Sequence, residues 1–576
     1  MKCLSVDLMK FRRAMMVVAA LASVLTSAVN GIAQSASSRG GLVATVQPVA
    51  TEAGLAALKA GGNAVDAAVA AALTLGVVDG HNSGLGGGCF ILVRTAAGEI
   101  IAIDGREKAP AAATRDMYVR DGEVVPNLSR TGPLAVAVPG ALAAYEQVLA
   151  KAGRLKLSDL LNRAADVAEN GFALDEKYAA KLELMKAAIE SFPASKKMLL
   201  KRDGSVYQAG EILRLPDLAK SYRAIAANGT DWFYRGPFAA DVAEWMRDNG
   251  GLLTKQDFAD YSVKQRKPVT TTYRGYKIVG FPPPSSGGVH VAQILNILEH
   301  FPMGELMRSE PATAHHLIAE AMKLAFADRA YWLGDADFTK VPRGLADKQY
   351  AARLAKLIDP AKAAKVSSHG LPPDWQTNLY GKHTTHIATA DTEGNWVAIT
   401  ATINTTFGSK VVVPGTGILL NNEMDDFSAR PGVPNAFGLV GAEANAIAPG
   451  KRPLSSMSPT IVMKDGVPVL TVGGAGGPMI ITEVLQAIVR FVDGGNAIDQ
   501  CIGDPRLHHQ WRPDQLFVEQ SFDANAVQKL KDRGHNVEFL KRGGVAQAIS
   551  RLPNGDFDGV SDPRVPGKAA SWFADQ

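Results

Sequence analysis

Apolar positions along this chain fall into helical and strand periods in a definite order. Residues 51–78 carry dense alanine at helical spacing, and Gly61-Gly62 interrupts them, so the pattern predicts a broken helix. Leu85-Gly-Gly-Gly-Cys-Phe-Ile-Leu-Val-Arg94 reads as a glycine-rich turn leading into a buried strand. Residues 100–103 continue that strand pairing and end at Asp104-Gly-Arg-Glu107. Residues 157–250 read as amphipathic helices joined by polar loops, and GYKIVGF as a strand. FPPPSSGGVHVAQILNILEHF reads as a rigid proline turn, a Ser/Gly helix start and an apolar helix, and residues 311–333 as another helix. Residues 365–382, rich in proline, glycine and polar side chains without a period, read as a loose linker. Beyond it the chain reads as strand-rich until an apolar helix at residues 480–493. No internal repeat or low-complexity tract is evident.

The first residues follow a different rule. Lys2, Lys10, Arg12 and Arg13 precede an apolar run from Ala14 to Val29, and Gly31 and Ala33 supply small residues before a cut. That is the pattern of a secretory signal peptide over residues 1–33, and the run is short of the roughly 20 residues a membrane span needs. This segment carries +3 of the chain's formal +4, so the exported remainder is nearly neutral. No global charge argues for nucleic acid or a membrane surface. At 576 residues, 47% apolar and 20% charged, the chain can bury a large core. A prior of about 150 residues per domain would give three or four units. Cys3 leaves with the leader, so Cys89 and Cys501 allow one disulfide, with no C-x-x-C motif.

Most catalytic signatures are missing. There is no G-x-S-x-G elbow and no H-E-x-x-H, and the pairs His315-His316 and His508-His509 read as core or surface histidines. GGAGG at residues 473–477 lacks the Lys-Ser/Thr of a P-loop, but glycines at a helix start expose N–H groups to an anion or a developing oxyanion. The stretch GKHTTHIATA puts threonines where the linker meets a strand. A threonine hydroxyl needs a base, and an N-terminal threonine carries one as its own α-amine. That amine, with a pKa of about 7.7 to 8.0, suits proton transfer near neutral pH. An interior threonine gains it only if the chain is cut before it.

KHTTHIATAD, TINTTFG, GILLNNEMDDFSARPGVP, KRPLSSMSPTIV and GGAGG, with the upstream GREKAPAAATRDMY and PPPSSGG, resemble the γ-glutamyltranspeptidase (glutathione hydrolase) family, bacterial type with a lid loop. The resemblance runs from about residue 40 to the C-terminus. It implies the N-terminal-nucleophile hydrolase fold, an α/β/β/α sandwich. It also implies self-cleavage at His383-Thr384 into a large subunit, residues 34–383, and a small one, residues 384–576, forming a heterodimer. Thr384 resembles the family nucleophile and Thr402 the threonine whose hydroxyl assists it. Asn404, Glu423 and Asp426 match the groups that hold the substrate α-amine; relatives carry Gln or Glu at the Glu423 position. Arg106, Ser455 and Ser456 match the α-carboxylate site, and Gly476 and Gly477 the oxyanion donors. Residues 431–445 look like the lid, with Phe437 where some bacterial relatives have Tyr.

The chemistry of the residue types agrees with that set. A γ-glutamyl head offers a carboxylate that suits a guanidinium fork and hydroxyls, and an ammonium that suits Asp, Glu and Asn acceptors. The expected reaction is transfer of the γ-glutamyl group of glutathione or a related donor to water, an amino acid or a dipeptide. The resemblance implies neither cofactor nor metal, and the chain is expected to be exported, to the periplasm or as a secreted protein. Two other readings stay open: a glutaryl-cephalosporin acylase on the same fold, and a non-catalytic periplasmic amino-acid-binding protein.

Overall fold

The structure, a computed structural model, describes residues 34–373, 385–540 and 543–573. The expected leader and the expected cleavage point both lie outside those residues. At the centre are two seven-stranded antiparallel sheets. The first runs edge to edge through Gln34–Ser38, Phe557–Ser561, Val545–Arg551, Val467–Ala475, Thr460–Lys464, Tyr276–Gly280 and Val269–Tyr273. The second runs through Lys568–Trp572, Gly41–Thr45, His386–Ala390, Trp396–Thr402, Gly88–Arg94, Ile100–Gly105 and Lys264–Arg266.

Side-chain alternation assigns each strand residue to a layer. In Gly88–Arg94, Cys89, Ile91 and Val93 enter one helical core, while Phe90 and Leu92 face the other sheet. Trp396–Thr402 repeats this: Val397, Ile399 and Ala401 point to the helices, Trp396 and Ala398 between the sheets. The first sheet meets them there with Val279, Ile461, Met463 and Ile549, and Phe90 stacks on Phe281 at 4.4 Å between centroids. Its other face, including Ile278, Val462, Leu470 and Val472, packs on helices Gly287–Leu298 and Met479–Val489, with Pro311–Trp332 behind the first of these. The layers are therefore helix, sheet, sheet, helix, the expected α/β/β/α sandwich. Strands covered on both faces explain why runs such as CFILV are continuously apolar.

The broken helix is two helices, Pro48–Lys59 and Ala64–Val78. Asn63 starts the second with a capping box: its side chain accepts from Val65 N at 2.9 Å and its N–H donates to Asp66 Oδ2 at 2.8 Å. Such a cap contributes about 1 kcal/mol. The turn at residues 86–88 needs glycine for close approach. A Cβ on Gly87 would lie 1.8 Å from Thr402 O, and one on Gly88 2.3 Å from Glu107 Oε2.

Three expectations are corrected. The length prior overcounts, because strands from both ends of the chain share both sheets. Residues 403–459 are not strand-rich; apart from isolated bridges and the short 3-10 turns Glu423–Asp426 and Glu443–Asn445 they form turns and loops. Polar side chains there satisfy the backbone instead, as when Asn421 Nδ2 donates to Gly86 O and Ala137 O, both at 2.8 Å. Cys89 and Cys501 form no disulfide, because they are buried in separate helical cores on opposite sides of the sheets.

Candidate active site

Strand Ile100–Gly105 delivers Arg106 to the site, with no exposed side-chain surface. Its backbone and side chain are fixed on several sides. Arg106 N donates to Asp104 Oδ1 at 2.9 Å, Nε donates to Pro453 O at 3.2 Å, and Tyr261 OH donates to Arg106 O at 2.8 Å. Asp104 is itself held between Arg266 (2.8 Å) and Arg452 (2.5 Å). The guanidinium then meets the short turn Glu423–Asp426. Nη1 donates to Glu423 Oε1, and Nη2 donates to Asp426 Oδ2 at 2.7 Å. Glu107 Oε2 is a third carboxyl oxygen, 3.4 Å away.

Burying these acids resists their ionisation. Burial pushes Glu107 up to about 7 and Glu423 well above the carboxylate range, both against the pull of Arg106. Burial also works against the Arg106 charge, but Glu423, Glu107 and Asp426 outweigh it and keep Arg106 cationic. Near neutral pH the cluster therefore holds protons that an incoming cation can displace.

Asn404 sits beside this cluster in a left-handed conformation, φ +74°, which asparagine tolerates better than most residues. Its Nδ2 donates to Asn422 O at 2.9 Å, and its N–H donates to Thr402 Oγ1 at 2.7 Å. Asn404 Oδ1 and Glu423 Oε2 are buried acceptors without a hydrogen-bond donor. Such atoms mark a place built for a donor that arrives from outside.

Ser455 and Ser456 are fully buried, and the proline turn positions them. Ser286 donates to Ser455 O twice, from N at 2.9 Å and from Oγ at 2.5 Å, and Ser455 N donates to Pro284 O at 2.9 Å. Ser456 Oγ accepts from Arg329 Nη2 at 3.3 Å.

Strand Val467–Ala475 runs into Gly476 and Gly477 and then helix Met479–Val489. Among the described residues neither glycine N–H donates a hydrogen bond, although Gly476 O and Gly477 O accept from Met479 N and Ile480 N. Two such donors at a helix start form an anion cradle. Phe437 lies over it: a Cβ on Gly477, at φ +60°, would be 2.8 Å from Phe437 Cδ1. The same loop reaches the acid cluster, where Asn435 Nδ2 donates to Asp426 Oδ1 at 3.3 Å.

His383 and Thr384 lie outside the described residues, which resume at Thr385. Thr385 is buried, its O accepts from Ala401 N at 2.6 Å, and its Oγ1 donates to Asp79 Oδ2 at 3.5 Å. Thr402 ends the neighbouring strand, buried, with Oγ1 accepting from Asn404 N. His386 faces Thr400 Oγ1 at 3.0 Å and packs on Gly473; burial lowers its pKa to about 3, so it stays neutral. Arg106, Asn404, Glu423, Asp426, Ser455 and Ser456 thus line connected polar contacts, and Phe437 and Gly477 join them through the Asn435 loop.

The sequence reading did not single out Glu107, Ser286, Arg329 or Asn435. The first two stand in the quoted GREK and PPPSSGG stretches, but Arg329 sits in an ordinary-looking helix. Of the histidine pairs, His316, His508 and His509 are buried. His316 Nδ1 and His535 Nε2 are 2.8 Å apart, and Glu320 beside them already accepts from Lys323 Nζ at 2.9 Å.

Comparison with known proteins fits this arrangement. The family model described as gamma-glutamyltranspeptidase matches residues 50–572. The glutathione hydrolase proenzyme of Escherichia coli K12 is 45% identical over 526 residues, 91% of this chain and 90% of that one. A cephalosporin acylase from Bacillus halodurans superposes with TM-score 0.84 at 30% identity, covering 94% of this chain and 97% of its own. A solved chain of Helicobacter pylori gamma-glutamyltranspeptidase gives TM-score 0.55 at 42% identity, covering 56% of this chain and 93% of its own. With the fold, the acid and serine clusters and the glycine cradle in one architecture, the chain belongs to the γ-glutamyltranspeptidase family of enzymes.

Proposed function

We propose that this enzyme cuts itself between His383 and Thr384 and then uses Thr384 to transfer γ-glutamyl groups from glutathione and related donors. Thr384 Oγ attacks the γ-carbonyl carbon while its new α-amine takes the hydroxyl proton. The N–H groups of Gly476 and Gly477 hold the tetrahedral oxygen; one such donor is typically worth about 3 kcal/mol. The carbon–nitrogen bond then breaks and the proton passes to the leaving amine. Water resolves the ester to glutamate, and an amino acid or dipeptide resolves it to a new γ-glutamyl product. Thr402 orients the nucleophile. Phe437 covers the acyl group as part of the lid and, lacking the phenolic hydroxyl, gates the acceptor by its ring alone.

The observation that carries the substrate class is the pair of unfilled acceptors, Asn404 Oδ1 and Glu423 Oε2, beside Arg106, Asp426 and two buried serines. A substrate α-ammonium fills the acceptors and an α-carboxylate takes the guanidinium and hydroxyls. A glutaryl group has no ammonium to offer, so the same observation favours γ-glutamyl donors over the acylase reading. The leader pattern supports export to the periplasm, and no described helix is long and apolar enough to cross a membrane. Thr384→Ala should leave one uncut, inactive chain by intact mass and γ-glutamyl-p-nitroanilide assay. A cut and active Thr384→Ala protein would sink the proposal.

A further inference from the structure

Arg329 is a buried cation with no ion-pair partner among the described residues. It lies near the C-terminal end of helix Pro311–Trp332, with 3% of its surface exposed. Among the described residues no carboxylate comes within ion-pair distance of its guanidinium. The adjacent acid, Asp328, is committed elsewhere: it accepts from Gln293 Nε2 at 2.6 Å, Tyr350 OH at 2.7 Å and Gly370 N at 2.6 Å. The acid that reaches Arg329 electrostatically is Asp426, which is already paired with Arg106. Burial lowers the Arg329 pKa to about 10, which still leaves it charged at neutral pH. A buried unpaired charge is expensive, and a protein keeps one where a ligand of opposite sign arrives.

The donors of Arg329 show where that anion would sit. Nε donates to Ser286 Oγ at 3.0 Å and Nη2 to Ser456 Oγ at 3.3 Å. Ser286 passes its own proton to Ser455 O. Ser456, accepting from a cation, must direct its hydroxyl proton elsewhere and becomes a stronger donor. One guanidinium therefore fixes the backbone of Ser455 through Ser286 and polarises the hydroxyl of Ser456.

We infer that Arg329 is a positioning residue for the substrate α-carboxylate, supplying through Ser456 and Ser286 the positive charge that Arg106 alone, surrounded by three acids, does not. This rests on the reading of the site as the cradle of a γ-glutamyl head. Arg106 is already paired with Asp426, so Arg329 provides the further charge that discriminates a carboxylate from a neutral group of similar shape.

The test compares γ-glutamyl-p-nitroanilide with its α-methyl ester on the wild-type enzyme and on Arg329→Gln and Arg329→Lys. The wild type should prefer the free carboxylate strongly. Arg329→Gln should raise KM for the carboxylate donor by about 10- to 100-fold with kcat within about threefold, while the ester changes by less than about threefold. Arg329→Lys, keeping the charge but losing the fork, should recover part of the preference. Equal losses on both donors would make Arg329 a merely structural residue and overturn the inference. So would an Arg329→Gln enzyme with the full carboxylate preference. If Arg329→Gln does not fold, Arg329→Lys alone decides by its carboxylate-to-ester ratio, and an unchanged ratio counts against the inference. A wild-type enzyme indifferent to the ester would instead overturn the reading of the site itself.

Discussion

Gly477 carries two constraints at one position: a left-handed backbone and the Phe437 ring against its Cα. A side chain there would meet a conformational penalty of about 1–2 kcal/mol and push the ring away. Gly477→Ala should keep its N–H but displace it, lowering kcat on γ-glutamyl-p-nitroanilide by about 10- to 100-fold. Adding Phe437→Ala should recover part of the loss, because the two changes share one contact. An undiminished kcat in Gly477→Ala would mean the cradle does not depend on this geometry. At this scale the sequence was most informative where several motifs stood in order. Arg106, Asn404, Glu423, Asp426 and the serine pair could be named before any contact was known. Arg329 could not, since a lone arginine in a helix reads as solvated. Only its burial and the prior commitment of Asp328 distinguish it.

Helix Met479–Val489 holds a comparable oddity. Glu483 is buried beneath the glycine loop, and neither carboxyl oxygen has a hydrogen-bond donor. Ideal Cβ atoms on Gly474 and Gly544 would lie 2.7 and 1.7 Å from its oxygens, so no other side chain shares the space. Burial raises its pKa to about 8, against the attraction of Arg506. The folded state thus binds this proton more tightly than the unfolded chain does. The stabilisation is complete below the unfolded value and lost as pH rises through about 8. Glu483→Gln does not titrate, so its melting temperature should gain on the wild type between about pH 5 and about pH 9. A difference that stays constant across that range would remove Glu483 as the cause. Period and punctuation revealed most helices and strands, because each buries one or two regular faces. They misread residues 403–459 as strand-rich. There, asparagine side chains and glycine turns satisfy the backbone instead, and no local period records that.

For the whole molecule, the proposed division at Thr384 would cut through both sheets rather than between domains. Gly41–Thr45 and Gly88–Arg94 flank His386–Ala390 and Trp396–Thr402 as immediate neighbours. Tyr276–Gly280 likewise pairs with Thr460–Lys464 in the other sheet. Segments on either side of the proposed cut are thereby joined by ladders and common cores, so neither holds a complete sheet alone. The length of the chain could not reveal this, because sheet partnership across hundreds of residues leaves no trace in local composition.

The outer pairings have one more consequence. Gly41 lies opposite Trp572, and residue 40 abuts the Trp572 carbonyl, so the first two strands and the last strand of the described chain lie side by side. Connectivity is then negotiable: a short loop could close the old ends into a circle, reopened at Thr384. Such a permutant, once its initiator methionine is trimmed, would be born with the amine that, on the proposed mechanism, the native order gains by cleavage. It should hydrolyse γ-glutamyl-p-nitroanilide without any internal cut. A folded but inactive permutant would mean that maturation does more than liberate one nitrogen.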